Sequence, residues 1–142
     1  MRYQRILITG ASGSLGKQLI YEFMRRDIKP IAQVRKNSNT TYIDSFSLEK
    51  RIADLRDEQK LNQLVAGIDA VIHTAAWVNF RQDQFSQFAA INTSGAVKLF
   101  EAARKGGVKR FVHVSTIAAV GAIPSVTDQK DRLQDHTGVV NE

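Results

Sequence analysis

Glycines 10, 13 and 16 close the apolar run RILITGASGSLG over residues 5–16 and stand where a helical pattern begins. Three small residues at such a junction can handle phosphate without a charged side chain. Gly10 permits backbone dihedrals that a Cβ would forbid, Gly13 lets the main chain approach a pyrophosphate closely, and Gly16 lets the next helix sit tight on the sheet. Unpaired amides in that helix's first turn, with the positive end of its dipole, favour a diphosphate. Ser12 and Ser14 add hydroxyl donors, and Ser14 is placed to cap the helix. A tight strand-to-helix turn without a ligand is the competing reading.

Further along, an acid at the end of the second strand would accept hydrogen bonds from an adenosine ribose diol. No acid occurs between Asp27 and Asp44, and Arg35 and Lys36 stand there instead. A guanidinium can grip a 2′-phosphate through two parallel hydrogen bonds, so this pattern favours NADP(H) over NAD(H). An ordinary exposed basic pair is the alternative. In AVIHTAAWV, the small residues Thr74, Ala75 and Ala76 would let a dinucleotide cross the sheet edge unobstructed. His73 reads as a strand residue with a local hydrogen bond, and Trp77 and Phe80 as pocket walls or plain packing.

TGASGSLG spaces its first two glycines one residue further apart than the commonest fingerprint. It resembles the cofactor loop of the extended short-chain dehydrogenase/reductase family, the NAD(P)-dependent epimerases, dehydratases and dihydroflavonol-reductase-like enzymes. The resemblance implies that Asp54, followed by Leu55 in ADLRD, contacts adenine; the competing reading is helix capping, which Asp57 explains for itself and which leaves Asp54 free. It also implies that Ala75 and Ala76 line the path of the nicotinamide half. VKRFVHVSTIAAVG then resembles the fifth strand and active-site loop, which places Thr116 at the family's catalytic Ser/Thr, with Ser115 as the choice one register away. INTSGAVKLFEAA, with Asn92 and Gly95, resembles the family helix that packs between the sheet and a partner subunit.

Family catalysis relies on a tyrosine followed four residues later by lysine. The only tyrosines here are Tyr3, Tyr21 and Tyr42, and none has that lysine. In resembling enzymes the dyad falls a couple of dozen residues or more beyond the Ser/Thr, so the expectation is an N-terminal part that binds NADP(H) but does not itself turn over substrate. Reversible hydride transfer at a secondary alcohol or ketone would be the reaction class of a complete enzyme. A non-catalytic dinucleotide sensor or interaction module is the rival.

The elements that must hold these residues alternate β and α. Apolar runs at residues 6–8, 31–34, 70–72 and 111–114, and a shorter candidate at 51–53, suit strands buried on both faces of a parallel sheet. Right-handed crossovers then give a doubly wound α/β, Rossmann-type sheet of about five strands in order 3-2-1-4-5. Leu15, Leu19, Ile20, Phe23 and Met24 form one helical face; Leu61, Leu64 and Val65 a second; Phe88, Ile91, Leu99, Phe100 and Ala103 part of a third. Asn92 and Gly95 both weaken that last helix, so a polar or packing reason is expected for them. Residues 1–121 read as the dinucleotide-binding domain and residues 122–142 as a loop-like tail. If no sixth strand follows, residues 111–115 lie at a sheet edge, and the tail or a second chain is expected to cover it; association through the 88–103 helix would also give a homodimer.

With 142 residues at 43% hydrophobic composition, one substantial core is the expectation. The absence of cysteine excludes disulfides and thiolate chemistry and suits a reducing cytoplasm, and no metal-ligand spacing occurs. The net charge of +6 raises nucleic acid as a partner. Its basic clusters, Arg25, Arg26 and Lys29, then Arg104, Lys105, Lys109 and Arg110, fall at expected helix ends, where they complement the dipole. A nucleic-acid partner is therefore not expected, a basic nucleic-acid module being the minor alternative. No apolar run approaches the length of a membrane span, so no membrane partner is expected, and a small carbonyl or alcohol compound is the expected substrate class.

Overall fold

The computed structural model describes residues 3–78 and 85–116. Five parallel strands, β1 (Ile6–Thr9), β2 (Ile31–Val34), β3 (Lys50–Ile52), β4 (Ala70–His73) and β5 (Arg110–His113), form one sheet in order β3-β2-β1-β4-β5. This is the order that strand-helix alternation with right-handed crossovers implies. β1 lies in the middle, with Leu7 opposite both Ile31 and Val71.

Successive side chains of each strand point to opposite faces, and the two faces carry separate cores. Leu7, Ile31 and Val71 pack against α3 (Glu58–Val65), through Leu61, Leu64 and Val65, and against α5 (Ala96–Lys105), through Leu99, Ala102 and Ala103. Ile8, Ala32 and Val34 pack against Ile20 of α1 (Ser14–Arg25) and Ile43 of the short α2 (Thr41–Asp44), an element that no apolar periodicity in the sequence announces.

Burial of strands on both faces holds for β1 and β2, and for β4 apart from half-buried Ile72. It fails for β3 and β5, which flank the sheet and leave Ile52 63% and Val112 44% exposed. Both are the outer strands of the expected order, and an outer strand has only one neighbour to shelter it. Leu15 corrects the first helical face: it is 46% exposed, because Ile20 and half-buried Leu19, Phe23 and Met24 already fill the contact with the sheet. In the third face, Leu99 and Ala103 are buried while Phe88 and Phe100 are exposed. The expected long helix there is interrupted: α4 (Phe85–Phe88) runs into a π-helical segment, Ala89–Gly95, before α5.

The lower ends of three strands are joined at Asp69. Its Oδ2 accepts from the amides of Gln4 and Arg5 at 3.1 and 3.0 Å, and its Oδ1 from Lys109 Nζ at 3.0 Å. The Arg5 amide above all, then Lys109 and the Gln4 amide, hold this carboxyl down at about 2. Residues 117–142, hence the expected tail and its cover over β5, lie outside the described residues, as does Phe80.

Candidate functional site

A cleft of about 310 Å³ opens at the carboxyl ends of β1, β2 and β4. In open α/β sheets this is where ligands bind, at the point where strand order reverses. The turn after β1 supplies Gly10, Ser12 and Gly13 to its wall. Gly10 has φ +67°, and a Cβ on it would lie 2.7 Å from the Ala75 backbone. The loop therefore touches the end of β4, which only a bare α-carbon allows.

Gly13, not Ser14, is the N-cap of α1, and it makes no side-chain cap. Ser14 corrects the capping expectation: it is already the first helical residue. With Leu15 and Gly16 it forms the first turn, whose amides have no carbonyl of their own helix to reach. These three residues adjoin Gly13 but lie outside the lining. A Cβ on Gly16 would stand 2.3 Å from the Gly10 carbonyl oxygen, so its smallness lets the helix start pack on the loop itself.

The second wall comes from β2 and the segment after β3. Arg35 lines the cleft and Lys36, exposed, does not. Arg35 and Ser38 close a tight turn, the Arg35 amide donating to Ser38 Oγ at 3.1 Å and the Ser38 amide to the Arg35 carbonyl at 3.0 Å. Among the described residues the Arg35 guanidinium closes no ion pair. Asp54 and Leu55 also line the cleft. Asp54 is not free, as expected once Asp57 caps α3, but clasped by Arg56: Oδ1 accepts from its amide and Nε at 2.9 Å each, Oδ2 from its terminal nitrogen at 2.7 Å. That guanidinium holds the Asp54 carboxyl down at about 2, with Arg35 adding a smaller attraction. Asp57 does cap α3, accepting from the Lys60 amide.

Thr74, Ala75, Ala76 and Trp77 complete the far wall, with Ile91 of the π-helical segment. Asn92 lies within the break in that helix and supplies the expected polar reason for its presence. Its Oδ1 accepts from the Trp77 amide at 2.7 Å and its Nδ2 donates to the Trp77 carbonyl at 2.9 Å, so one side chain replaces a strand partner for the chain leaving β4. Gly95 supplies the packing reason, since a Cβ there would stand 3.2 Å from Leu55 Cβ. Thr116 and Ser115 lie exposed just past β5, outside the lining.

Beneath the cleft runs a polar row that sequence reasoning missed in part. Thr9, Gln33 and His73 are the buried polar side chains of the described residues. Thr9 pairs with His73 in register, and extending the Leu7–Ile31 register by two residues brings Gln33 beside Thr9. Gln33 Oε1 accepts from the Gly10 amide at 3.0 Å and its Nε2 donates to the Ala53 carbonyl at 2.7 Å. Thr9 Oγ1 accepts from the Ala75 amide at 3.4 Å. A buried glutamine in an otherwise apolar strand was the available signal.

The loop, the open helix start and the basic β2 end fit a nucleotide diphosphate, and similarity to known proteins agrees. Residues 6–139 match the family described as NAD dependent epimerase/dehydratase. The chain belongs to that family. It is 35% identical over 118 residues to sterol demethylase protein B of Methylococcus capsulatus, covering 83% of this chain and 36% of that protein. Against uronate dehydrogenase of Pseudomonas putida it is 33% identical over 122 residues, 84% of this chain and 43% of the relative. The chain thus spans about two fifths of the length of these curated relatives. The crystal structure of dTDP-glucose 4,6-dehydratase from Streptomyces venezuelae, with NAD bound, superposes with a TM-score of 0.73 at 26% identity, covering 85% of this chain and 42% of that one. No helix among the described residues is long and apolar enough to cross a membrane.

Proposed function

We propose that the chain binds NADP(H) in this cleft, as the cofactor-holding part of an extended short-chain dehydrogenase/reductase-like oxidoreductase or epimerase. The observation that carries the reading is the lining itself: Gly10, Ser12 and Gly13 share one cleft with Arg35 and with Thr74 and Ala75. Amides at the glycine turn and the first turn of α1 would hold the diphosphate. Asp54 and Leu55 stand where an adenine edge would be read. Because Arg56 already occupies the Asp54 carboxylate, the adenine amine would share an oxygen with that guanidinium.

Preference for the 2′-phosphate rests on Arg35, whose side chain stands at the end of β2 without an ion partner among the described residues, and on Ser38, whose hydroxyl lies in the same turn. The NAD in the solved relative supports a nicotinamide dinucleotide and is silent on that phosphate. When bound, the cofactor supplies or takes a hydride. Thr116 would orient the substrate oxygen, and the reaction of a complete enzyme would interconvert a secondary alcohol and a ketone.

These 142 residues contain no tyrosine followed four positions later by lysine. Lacking that acid-base pair, the chain by itself does not turn over substrate. Titration with NADPH and NADH, repeated on Arg35→Ala, tests the reading. Expected is tighter binding of NADPH, with Arg35→Ala losing roughly tenfold or more for NADPH and little for NADH. Equal affinities before mutation overturn the phosphate assignment, and no binding of either overturns the function.

A further inference from the structure

We infer that Gln33 is a positioning residue that couples the two halves of the cleft, so that a ligand spanning both binds more tightly than its separate parts foretell. This rests on the dinucleotide reading of the cleft. The glycine turn follows β1 and the Asp54 segment follows β3, and the two strands are not neighbours: β2 lies between them. A β2 residue is placed to reach both, and Gln33 does so with one amide group. It takes the Gly10 N–H at 3.0 Å and gives to the Ala53 carbonyl at 2.7 Å, one residue before Asp54.

The backbone repeats the grip, with the Ala11 amide donating to the Gln33 carbonyl at 3.3 Å. Gln33 itself lines the cleft while only 2% exposed, and its removal takes one partner from the Gly10 N–H and one from the Ala53 carbonyl together. The amide also fits in one orientation only. Its oxygen must face Gly10 and its nitrogen Ala53, since Gly10 offers a donor and Ala53 an acceptor. The distance between the diphosphate cradle and the adenine-facing segment is thereby fixed before ligand arrives. A ligand that carries both adenine and a diphosphate gains from that fixed separation, whereas adenosine, seated against the Asp54 segment alone, or nicotinamide mononucleotide, seated away from it, does not.

Calorimetric titration of the full chain with the tighter of NADPH and NADH, with adenosine, and with nicotinamide mononucleotide separates coupling from general loosening. In Gln33→Met, which removes both hydrogen bonds at similar volume, the dinucleotide is expected to weaken by about tenfold, and adenosine and nicotinamide mononucleotide each by less than about threefold. Circular dichroism confirms that the variant is folded. Should it fail to fold, Gln33→Asn, which keeps the amide but draws it back by one methylene, carries the comparison with the same expected direction. Equal weakening of all three ligands, or weakening of none, overturns the coupling role while leaving the dinucleotide reading intact. If the parent chain binds no dinucleotide, that reading falls and this one with it.

Discussion

Thr9 Oγ1 stands 2.6 Å from Nδ1 of His73, across the β1–β4 pairing and under the cleft. The Ala75 amide donates to the same hydroxyl at 3.4 Å, and Nε2 of the ring is buried without a partner among the described residues. Burial, and then the charge of neighbouring His113, push His73 down from 6.5 to about 4.

The native state therefore keeps this imidazole neutral where the unfolded chain protonates it. Its contribution is fully present above pH 6.5 and is lost as pH falls to 4 and below, by about 2–3 kcal/mol at pH 4. Urea denaturation at pH 7, 5.5 and 4.5 should show the fall. His73→Gln should flatten it, and His113→Gln should leave most of it in place.

A second, lower acid stage belongs to Asp54 and Asp69. Both carboxyls sit at about 2 against an ordinary 3.8, so the stability they provide is present above 3.8 and disappears as pH drops towards 2. Acid titration of Asp69→Asn, followed by circular dichroism, should show a shallower loss in that window. An unchanged curve would mean that the amides of Gln4 and Arg5 do not hold the charge in solution.

Gly10→Ala should destabilise the fold by roughly 2–4 kcal/mol, combining a left-handed backbone with a collision. The new Cβ would meet Ala75 backbone atoms at 2.7 Å, and Ala75 cannot retreat without breaking its approach to Thr9. A denaturation midpoint equal to the parent's would show that the turn relaxes freely.

Asn92→Leu should cost about 1–3 kcal/mol, because it leaves the Trp77 amide and carbonyl unpaired. Trp77 is the sole tryptophan of the sequence, so its emission reports directly on the wall it forms. A changed emission spectrum in the folded variant is expected, and a superposable one would sever the link between this helix break and the cleft.

Sheet order and the glycine turn were legible because they arise from local patterns: apolar runs of strand length, and small residues where the backbone must bend. Asp57 as a cap came from chemistry within a few positions, whereas His73 is a strand residue as read but its hydrogen bond is not local, since Thr9 lies 64 residues away. Gln33 was opaque for a different reason. Its partners lie 23 and 20 residues away, and they become neighbours only once three strands are in register. The Asp54–Arg56 clasp was within reach, since acid and base are two residues apart, but whether they meet depends on the turn between β3 and α3. Leu15 misled in the same way: its apolar character was plain, whereas what stands beside it was not.

β1 has one partner beginning 25 residues downstream and another beginning 64 residues downstream, with Ile6 opposite Ala70. The central strand therefore stays half-satisfied until β4 has left the ribosome, and no early hairpin can stand in for it. Closing so large a loop is entropically slow, which makes assembly of the cleft a late event in the life of the nascent polypeptide.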